Sequence, residues 1–402
     1  MNRSFLLGSA AVMILCVAGC SWFGGDDDDA TEPYPLSSFK QEIELKKLWD
    51  VKVGKGVEDR FDSLSPVIID SRIFAASADG KVVALNVATG KKIWESRIDR
   101  LFSDDVKSML SSGNNKDRLI LGGVGGGRDI VLITTTTGEI IALNQSDGSF
   151  AWRSPTSSEV LVPPQVNDEL VVTQSIDGKI VAYDVLDGTP RWTFSTSVPI
   201  LTLRGTSTPL LADDFVLVGF ANCRVALLDA QQGLPRWEQR VALPQGKSEL
   251  ERLVDVDGEM VLTGDRLFAA SYQGSLVSID VSDGRINWQR EASSSAGLSE
   301  GFGNIYIANA DSSISAVDSN SNKNVWSVDA LTNREITTPV TLGNHVAVGD
   351  YAGYIHLVAQ LDGRFTGRRM VDSKGIRSTP VVQDGRLFIL GNSGRLTALE
   401  IR

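Results

Sequence analysis

Cysteine and histidine are scarce in this 402-residue chain, and each shortage excludes a class of chemistry. The three cysteines are Cys16, Cys20 and Cys223, and only Cys223 lies in the part that we expect to fold, so no intramolecular disulfide can stabilise it. The two histidines, His345 and His356, have no cysteine or second histidine at metal-ligand spacing. We therefore predict no metal site, and we expect structural roles for both histidines and for a buried Cys223.

Catalytic motifs and excess positive charge are also missing. No Gly-x-Ser-x-Gly elbow occurs, and the glycine-rich stretch 122–128 lacks the Gly-Lys-Ser/Thr ending of a phosphate-binding loop, so we predict a flexible turn there. The 39 basic residues are outnumbered by 50 acidic ones, giving a net charge of −11, which argues against nucleic acid as a partner. We predict no catalytic residues and no cofactor.

A hydrophobic run long enough to span a bilayer is absent as well. The apolar run from Phe5 to Val17 is too short for a permanent membrane helix and follows a basic head, as in an export signal. Small residues stand directly before Cys20, which is the processing pattern of bacterial lipoproteins. We predict that residues 1–19 are a signal peptide and that Cys20 carries the lipid; the alternative is an ordinary signal with a chance cysteine.

The segment that follows Cys20 is acidic and poor in apolar residues. Residues 20–38 contain the run Asp26–Asp29, Glu32 and two prolines, so like-charge repulsion favours an extended tether rather than a fold. A metal site built from the four aspartates is the alternative, but consecutive acids without a geometric frame are usually solvated. We predict that one folded domain occupies residues 39–402.

A repeated unit organises the rest of the chain. Residues 65–94 contain four strand-like runs separated by turn signals at Asp70-Ser71, Asp79-Gly80 and Thr89-Gly90, and the unit ends in Trp94. Six further copies follow, and an eighth begins at residue 379 and stops after three strands. The tryptophans that close the units are Trp49, Trp94, Trp152, Trp192, Trp237, Trp288 and Trp326, and we predict that they pack between units.

The incomplete eighth copy predicts how the fold closes. Its missing fourth strand is available at residues 45–49, which end in the same tryptophan signature but have no repeat before them. We therefore predict an all-β, eight-bladed β-propeller of four-stranded antiparallel blades, closed by the N-terminal strand completing the C-terminal blade. An open solenoid is the alternative, but it would leave both end strands exposed and would not explain the split repeat.

The repeat resembles the quinoprotein propeller repeat, and the whole chain resembles the BamB family of the outer-membrane β-barrel assembly machine. The family's hallmarks are a lipoprotein signal, a chain that is all propeller, and two loop motifs. Here those motifs are residues 201–209, Leu-Thr-Leu-Arg-Gly-Thr-Ser-Thr-Pro, and residues 251–257, Glu-Arg-Leu-Val-Asp-Val-Asp.

The resemblance implies a partner and the residues that bind it. In the family these motifs hold the periplasmic domains of BamA, and the matching positions here are Leu201, Leu203, Arg204, Asp255 and Asp257. Both motifs lie in or near connections between blades, where propeller loops emerge on one face and could form one patch with apolar anchors and a bidentate arginine. The alternative is that the leucines belong to the core and the charges are merely solvated.

The resemblance also implies a location and a role. Ser21, rather than aspartate, follows the lipidated cysteine, so we expect the outer membrane with the ring facing the periplasm. The implied role is a non-enzymatic scaffold that binds BamA, with unfolded outer-membrane proteins as further partners. The alternatives are a quinone-dependent dehydrogenase, whose usual vicinal cysteine pair and long insertions this chain lacks, and a propeller that binds another envelope ligand such as a polysaccharide.

Overall fold

The computed structural model describes residues 32–57, 64–101, 120–203, 205–244, 247–248 and 250–402. The predicted signal peptide, Cys20, the aspartate run and Arg204 lie outside these residues. No helix in the described ranges is long and apolar enough to cross a membrane.

The described strands form eight four-stranded antiparallel sheets, the predicted eight blades. The inner strands of neighbouring blades contact one another around a central axis. Blades 1 to 4 are made of β2 (Val67–Ile69), β3 (Arg72–Ser77), β4 (Lys81–Asn86) and β5 (Lys92–Arg97); β6 (Ile120–Gly127), β7 (Ile130–Thr135), β8 (Glu139–Asn144) and β9 (Phe150–Pro155); β10 (Gln165–Val166), β11 (Leu170–Gln174), β12 (Lys179–Asp184) and β13 (Pro190–Ser195); and β14 (Leu210–Leu211), β15 (Phe215–Gly219), β16 (Arg224–Asp229) and β17 (Pro235–Arg240).

Blades 5 to 8 repeat this arrangement, and a short helix, α1 (Ile98–Leu101), follows blade 1. Their strands are β18 (Val261–Thr263), β19 (Arg266–Ala270), β20 (Gly274–Asp280) and β21 (Ile286–Ala292); β22 (Gly297–Gly301), β23 (Asn304–Ala308), β24 (Ile314–Asp318) and β25 (Asn324–Val328); β26 (Val340–Leu342), β27 (His345–Gly349), β28 (Tyr354–Ala359) and β29 (Phe365–Met370); and β30 (Val381–Gln383), β31 (Arg386–Leu390), β32 (Arg395–Ile401) and β1 (Leu45–Lys52).

The N-terminal strand closes the ring as predicted. Strand β1 pairs antiparallel with β32, from Leu45 opposite Ile401 to Lys52 opposite Arg395. The Leu45 side chain is buried in a cluster with residues of blades 7 and 8. Blade 8 is therefore built from both ends of the chain, and the solenoid alternative is wrong.

A tryptophan on the outer strand of most blades locks that blade to the next one. Trp152 Nε1 of blade 2 donates to Val185 O of blade 3 at 3.0 Å, and its ring lies so close to Gly188 that an added Cβ would be 2.4 Å from it. The other six tryptophans donate in the same way from Nε1 to a backbone carbonyl oxygen of the next blade, at 2.7–3.1 Å. These bonds confirm the predicted packing role of Trp49, Trp94, Trp192, Trp237, Trp288 and Trp326. In blade 7 the matching position, opposite Leu357, holds Gly367 instead of a tryptophan.

The ring has two different faces. On one, which we call the loop face, the connections between blades pack on the turns between second and third strands, as where Val241 N donates to Cys223 O at 2.8 Å. On the other, the turn face, the remaining tight turns pack together, as where Val185 N donates to Glu169 O at 3.0 Å. All blade-to-blade connections therefore share the loop face.

Residues 32–44, which we call the N-terminal arm, lie along the outer edge of blade 7 without regular secondary structure. Leu36 packs on the core cluster of blades 6 and 7, and Phe39 lies 5.5 Å from the Phe365 ring. The expectation that the whole acidic segment stands free is thus wrong for residues 32–38, because apolar side chains of the arm find a partly buried surface. The domain boundary at residue 38 stays a prediction.

The glycine-rich stretch also differs from its prediction. Instead of a flexible turn it forms β6, the inner strand of blade 2, with a bulge between Leu121 and Val124. A Cβ at Gly125 would lie 2.0 Å from Pro164 O of the following connection. Glycine is needed here because two backbones approach too closely for any side chain.

The histidines and Cys223 have the predicted structural roles. Cys223 is 3% exposed, and burial raises the pKa of its thiol to about 11. His356 is fully buried, and its burial lowers its pKa, so the neutral ring donates from Nε2 to Asp350 and accepts at Nδ1 from Arg368, both at 3.0 Å. His345 Nδ1 lies 3.0 Å from the Thr366 hydroxyl.

Candidate docking site on the loop face

Two neighbouring connections on the loop face form one structural unit. The first loop, residues 196–209, joins blades 3 and 4, and the second loop, residues 241–260, joins blades 4 and 5. Leu203 N in the first loop donates to Asp255 Oδ2 in the second at 2.6 Å. The two predicted motifs therefore do meet on one face, as their positions in the repeat indicated.

The second loop is fixed to the blades on both sides of it. Val256 N donates to Phe220 O of blade 4 at 3.3 Å, and Tyr272 N of blade 5 donates to Asp255 O at 2.9 Å. Val256 is fully buried, and a Cβ at Gly219 would lie 2.6 Å from its Cγ1. Because the backbone is held by two blades, Asp255 offers its carboxylate to the first loop from a fixed position.

Exposed apolar side chains project from both loops. We call these five residues the docking patch: Val198, Ile200, Leu201, Leu243 and Leu250, with 37%, 107%, 39%, 62% and 68% of their surfaces exposed. Apolar groups this exposed are common in protein interfaces and serve no purpose in a core. The motif had identified Leu201 alone. No signal in the sequence distinguishes the others, because the second loop also contains Val241, Leu253, Val254 and Val256, which are buried.

Leu203 has a different environment from Leu201. It is half-buried and lines a cavity of about 110 Å³ together with Ile176, Val198 and Phe220. Its backbone carries the bond to Asp255, and Gly205 N donates to Leu203 O at 2.7 Å in a tight turn. Leu203 thus holds the first loop down, whereas Leu201 is available to a partner.

The predicted carboxylates are buried rather than presented to solvent. Asp255 is 1% exposed, and burial raises its pKa to about 6, although the bond from Leu203 N opposes that shift. Burial and the nearby charge of Asp255 raise the pKa of Asp257 to about 8. Both Asp257 carboxylate oxygens are buried, and neither accepts a hydrogen bond from any residue that the structure describes. These acids shape the loops more than they face a partner.

Gly205 brings the first loop against Asp257. A Cβ at Gly205 would lie 3.1 Å from Asp257 Oδ2, so the turn after Leu203 packs directly on this carboxylate. Arg204, the predicted arginine of the site, precedes Gly205 in the sequence and lies outside the described residues. The structure therefore brings together Leu203, Asp255 and Asp257, with Leu201 beside them.

A second feature lies at the centre of the ring. The inner strands surround a cavity of about 400 Å³, into which Glu259 and Thr379 face. Thr379 Oγ1 donates to Glu259 Oε1 at 3.2 Å, and burial raises the pKa of this carboxyl group. Across the described ranges, no group of three or more His, Cys, Asp and Glu side chains could hold a metal ion.

The fold and the joined loops define a class: an eight-bladed β-propeller of the quinoprotein type that presents aliphatic side chains from adjacent connections. The family model described as outer membrane protein assembly factor BamB matches residues 46–114, 108–328 and 310–402. The chain therefore belongs to the BamB family of outer membrane protein assembly factors.

Relatives and solved structures agree with this assignment. The chain is 42% identical over 390 residues to the BamB of Pseudomonas aeruginosa, covering 97% of each chain, and 32% identical over 402 residues to that of Escherichia coli K12, covering 99% of each. The crystal structure of BamB from Moraxella catarrhalis matches 89% of this chain and 100% of its own with a TM-score of 0.78 at 27% identity.

A more distant neighbour shows the fold alone. A quinohemoprotein alcohol dehydrogenase from Pseudomonas putida HK5 has a TM-score of 0.68 at 14% identity and covers 90% of this chain, which itself covers 76% of the enzyme. The full-length relatives are named as assembly factors rather than as enzymes.

Proposed function

We propose that this chain is a non-enzymatic scaffold lipoprotein of outer-membrane β-barrel assembly, and that its loop face binds the periplasmic domains of BamA. The observation that carries the proposal is the pair of loops joined by the Leu203–Asp255 bond, with exposed aliphatic side chains on both. In the proposal, Cys20 carries the lipid that holds the ring at the outer membrane, facing the periplasm. Unfolded outer-membrane proteins are proposed as further partners.

The site residues divide into two roles in this proposal. Leu201 contacts the partner directly, and Arg204 offers a planar pair of donors to a carboxylate. Leu203, Asp255 and Asp257 position the loops. The two carboxyl groups are buried inside the loops, and the half-buried Leu203 side chain packs beneath the first loop. Burying an exposed leucine or isoleucine side chain stabilises a complex by about 1.5–3 kcal/mol, so a few such anchors can dominate the affinity.

Binding of the purified mature protein to the soluble periplasmic domains of BamA, followed by calorimetry, tests the proposal. The double variant Ile200→Ala/Leu201→Ala removes exposed side chains without touching the core, and we expect its Kd to rise at least tenfold, about 1.4 kcal/mol. The matched control is Leu186→Ala/Leu234→Ala, which removes two leucines that are 72% and 60% exposed on the turn face.

The outcomes are distinct. A control variant with wild-type affinity beside a weakened docking variant supports the proposed face. Equal affinities for the two variants would place the contact elsewhere on the ring, and no binding by the wild type would remove BamA as the partner.

A further inference from the structure

The N-terminal arm begins on the loop face. Tyr34 N donates to Thr332 O at 3.0 Å, and Asn333 Nδ2 donates to Glu32 O at 3.1 Å, both in the connection between blades 6 and 7. Arg334, from the same connection, donates from Nη1 to Tyr34 O at 3.0 Å. The first described residues are thus held at a defined point on the face that also carries the docking patch.

The middle of the arm is clamped by one arginine. The Arg368 guanidinium lies 4.9 Å from the ring centre of Phe39 in the arm and 5.3 Å from that of Phe365 in the blade. Its Nη1 donates to Ser37 O at 2.8 Å, and its Nε donates to His356 Nδ1. Because His356 fixes the guanidinium from inside the blade, the arm packs on a cation that is already in place.

The end of the arm is bound near the turn face. Glu42 N and Ile43 N both donate to Thr366 O, at 2.8 and 2.9 Å, and the Glu42 carboxylate pairs with Arg364 at 3.1 Å. The arm then turns into β1 at Leu45. It therefore crosses the full height of blade 7, from the loop face to the turn face, with contacts at its start, middle and end.

We propose that the arm orients the ring on the membrane: it releases the lipid-bearing chain at the loop face beside blades 6 and 7, so this face lies toward the phospholipid surface. The inference rests on the proposed lipid at Cys20. Glu32 follows Cys20 by twelve positions, a reach of at most about 40 Å even when the chain is fully extended. The turn face lies farther than the loop face from the point where the chain leaves the ring, by the length of a six-residue strand, about 20 Å.

Without the docked arm, the same anchor would not orient the ring. The free chain would run from Cys20 to Leu45, twenty-five residues instead of twelve, and would leave blade 8 at the turn face. The free chain would then reach about 80 Å from an exit point at the turn face, so the loop face would no longer be the face nearer the lipid. The docking patch, which lies on the loop face at blades 3 to 5, would lose its fixed relation to the membrane.

Energy transfer to vesicles tests the orientation. The acylated full-length protein with Cys223→Ala is bound to phosphatidylethanolamine–phosphatidylglycerol vesicles that carry an acceptor dye at the headgroup. A donor dye is attached at Lys374→Cys on the loop face or at Leu361→Cys on the turn face, two exposed positions next to and in blade 7. We expect at least twofold more transfer from position 374 than from position 361.

A release variant separates the arm from the anchor. Leu36→Ala/Phe39→Ala/Glu42→Gln removes arm contacts and leaves the ring side chains intact, and we expect the two donor positions to become similar; Ser38→Ala, an exposed arm position, is the control. Faster amide exchange at Glu42 and Ile43 in the release variant reports undocking independently of lipid. Equal transfer in the wild type, or more from position 361, overturns the orientation. Failure of the wild type to sediment with vesicles overturns the anchor and the orientation with it.

Discussion

At the scale of single residues, the candidate docking site combines exposed aliphatic groups with buried acids. Ile200 and Leu250 face solvent, whereas the Asp255 and Asp257 carboxyl groups lie inside the loops. The two sequence motifs predict a set of site residues, but they do not distinguish a residue that would touch a partner from one that shapes the contact surface. That distinction depends on burial and therefore on the fold.

The protonation of Asp257 makes the first testable prediction at this scale. Its pKa is raised to about 8 in the folded protein, so its proton stabilises the fold below about pH 4, and that contribution is lost as the pH rises toward 8. We expect Asp257→Asn to raise the free energy of unfolding at pH 8 by about 1–3 kcal/mol and to flatten its pH dependence. Urea unfolding at pH 5, 7 and 9 measures both effects. A less stable variant at pH 8 would show instead that Asp257 is ionised and paired.

At the scale of the elements, six blades are joined to the next one by a contact between a tryptophan and a glycine turn of that neighbour. Trp152 uses its Nε1 group on Val185 O and its ring on Gly188. The turn needs glycine twice over: Gly188 has a φ of 72°, and its missing Cβ leaves the space that the indole fills. Six contacts of this kind, together with the bond from Trp288 Nε1 to Ser319 O, make the interfaces between blades specific as well as apolar.

Replacing glycines with alanine separates these two requirements. Gly188→Ala introduces both the unfavourable φ and a clash with Trp152, and we expect a loss of about 2–5 kcal/mol in the free energy of unfolding. Gly264→Ala has a similar φ of 61° but no atom within 4 Å of the new Cβ, so a loss of only about 1 kcal/mol is expected. Urea midpoints give the comparison, and equal losses would show that the indole does not require the space.

The repeat unit made most of the element pattern predictable. Turn signals and the closing tryptophans recur with each blade, so the split eighth copy and its completion by residues 45–49 followed from counting. The strand at 120–127 was not predicted, because its glycines are required by close packing against the Pro164 backbone. That contact joins two separate segments and is not visible in the local sequence. Docking of residues 32–38 was missed for the same reason, since Arg368 and Phe365 are more than three hundred residues away in sequence.

At the scale of the whole molecule, the ring is closed by one pairing between the two ends of the chain. Lys46 stands opposite Glu400 on β1 and β32, and opening this pair would leave blade 8 with three strands. Because every other blade is continuous in sequence, the split blade is the place where the ring can open without breaking a blade. Its pairing should therefore govern global stability.

Engineered disulfides test this view in a Cys223→Ala background. Lys46→Cys/Glu400→Cys would close a loop of about 350 residues and is expected to stabilise by about 6 kcal/mol, whereas Lys179→Cys/Ser195→Cys inside blade 3 closes about 16 residues and is expected to give about 3 kcal/mol. Thermal unfolding with and without reductant measures both. A smaller gain from the ring-closing bridge would mean that the ring does not open first at blade 8.

The direction of the tryptophan contacts also bears on why the ring has eight blades. Each indole contacts a turn of the following blade, and a turn of its own blade receives the indole of the preceding blade. The interface is therefore head-to-tail rather than self-complementary. A head-to-tail step closes only if its rotation divides a full circle, here roughly 45° per blade; any other angle would generate an open helix. The number of blades thus depends on the angle between neighbouring blades at the contact of the indole with the turn. A tandem array of similar units with a different angle would close into a ring with a different number of blades.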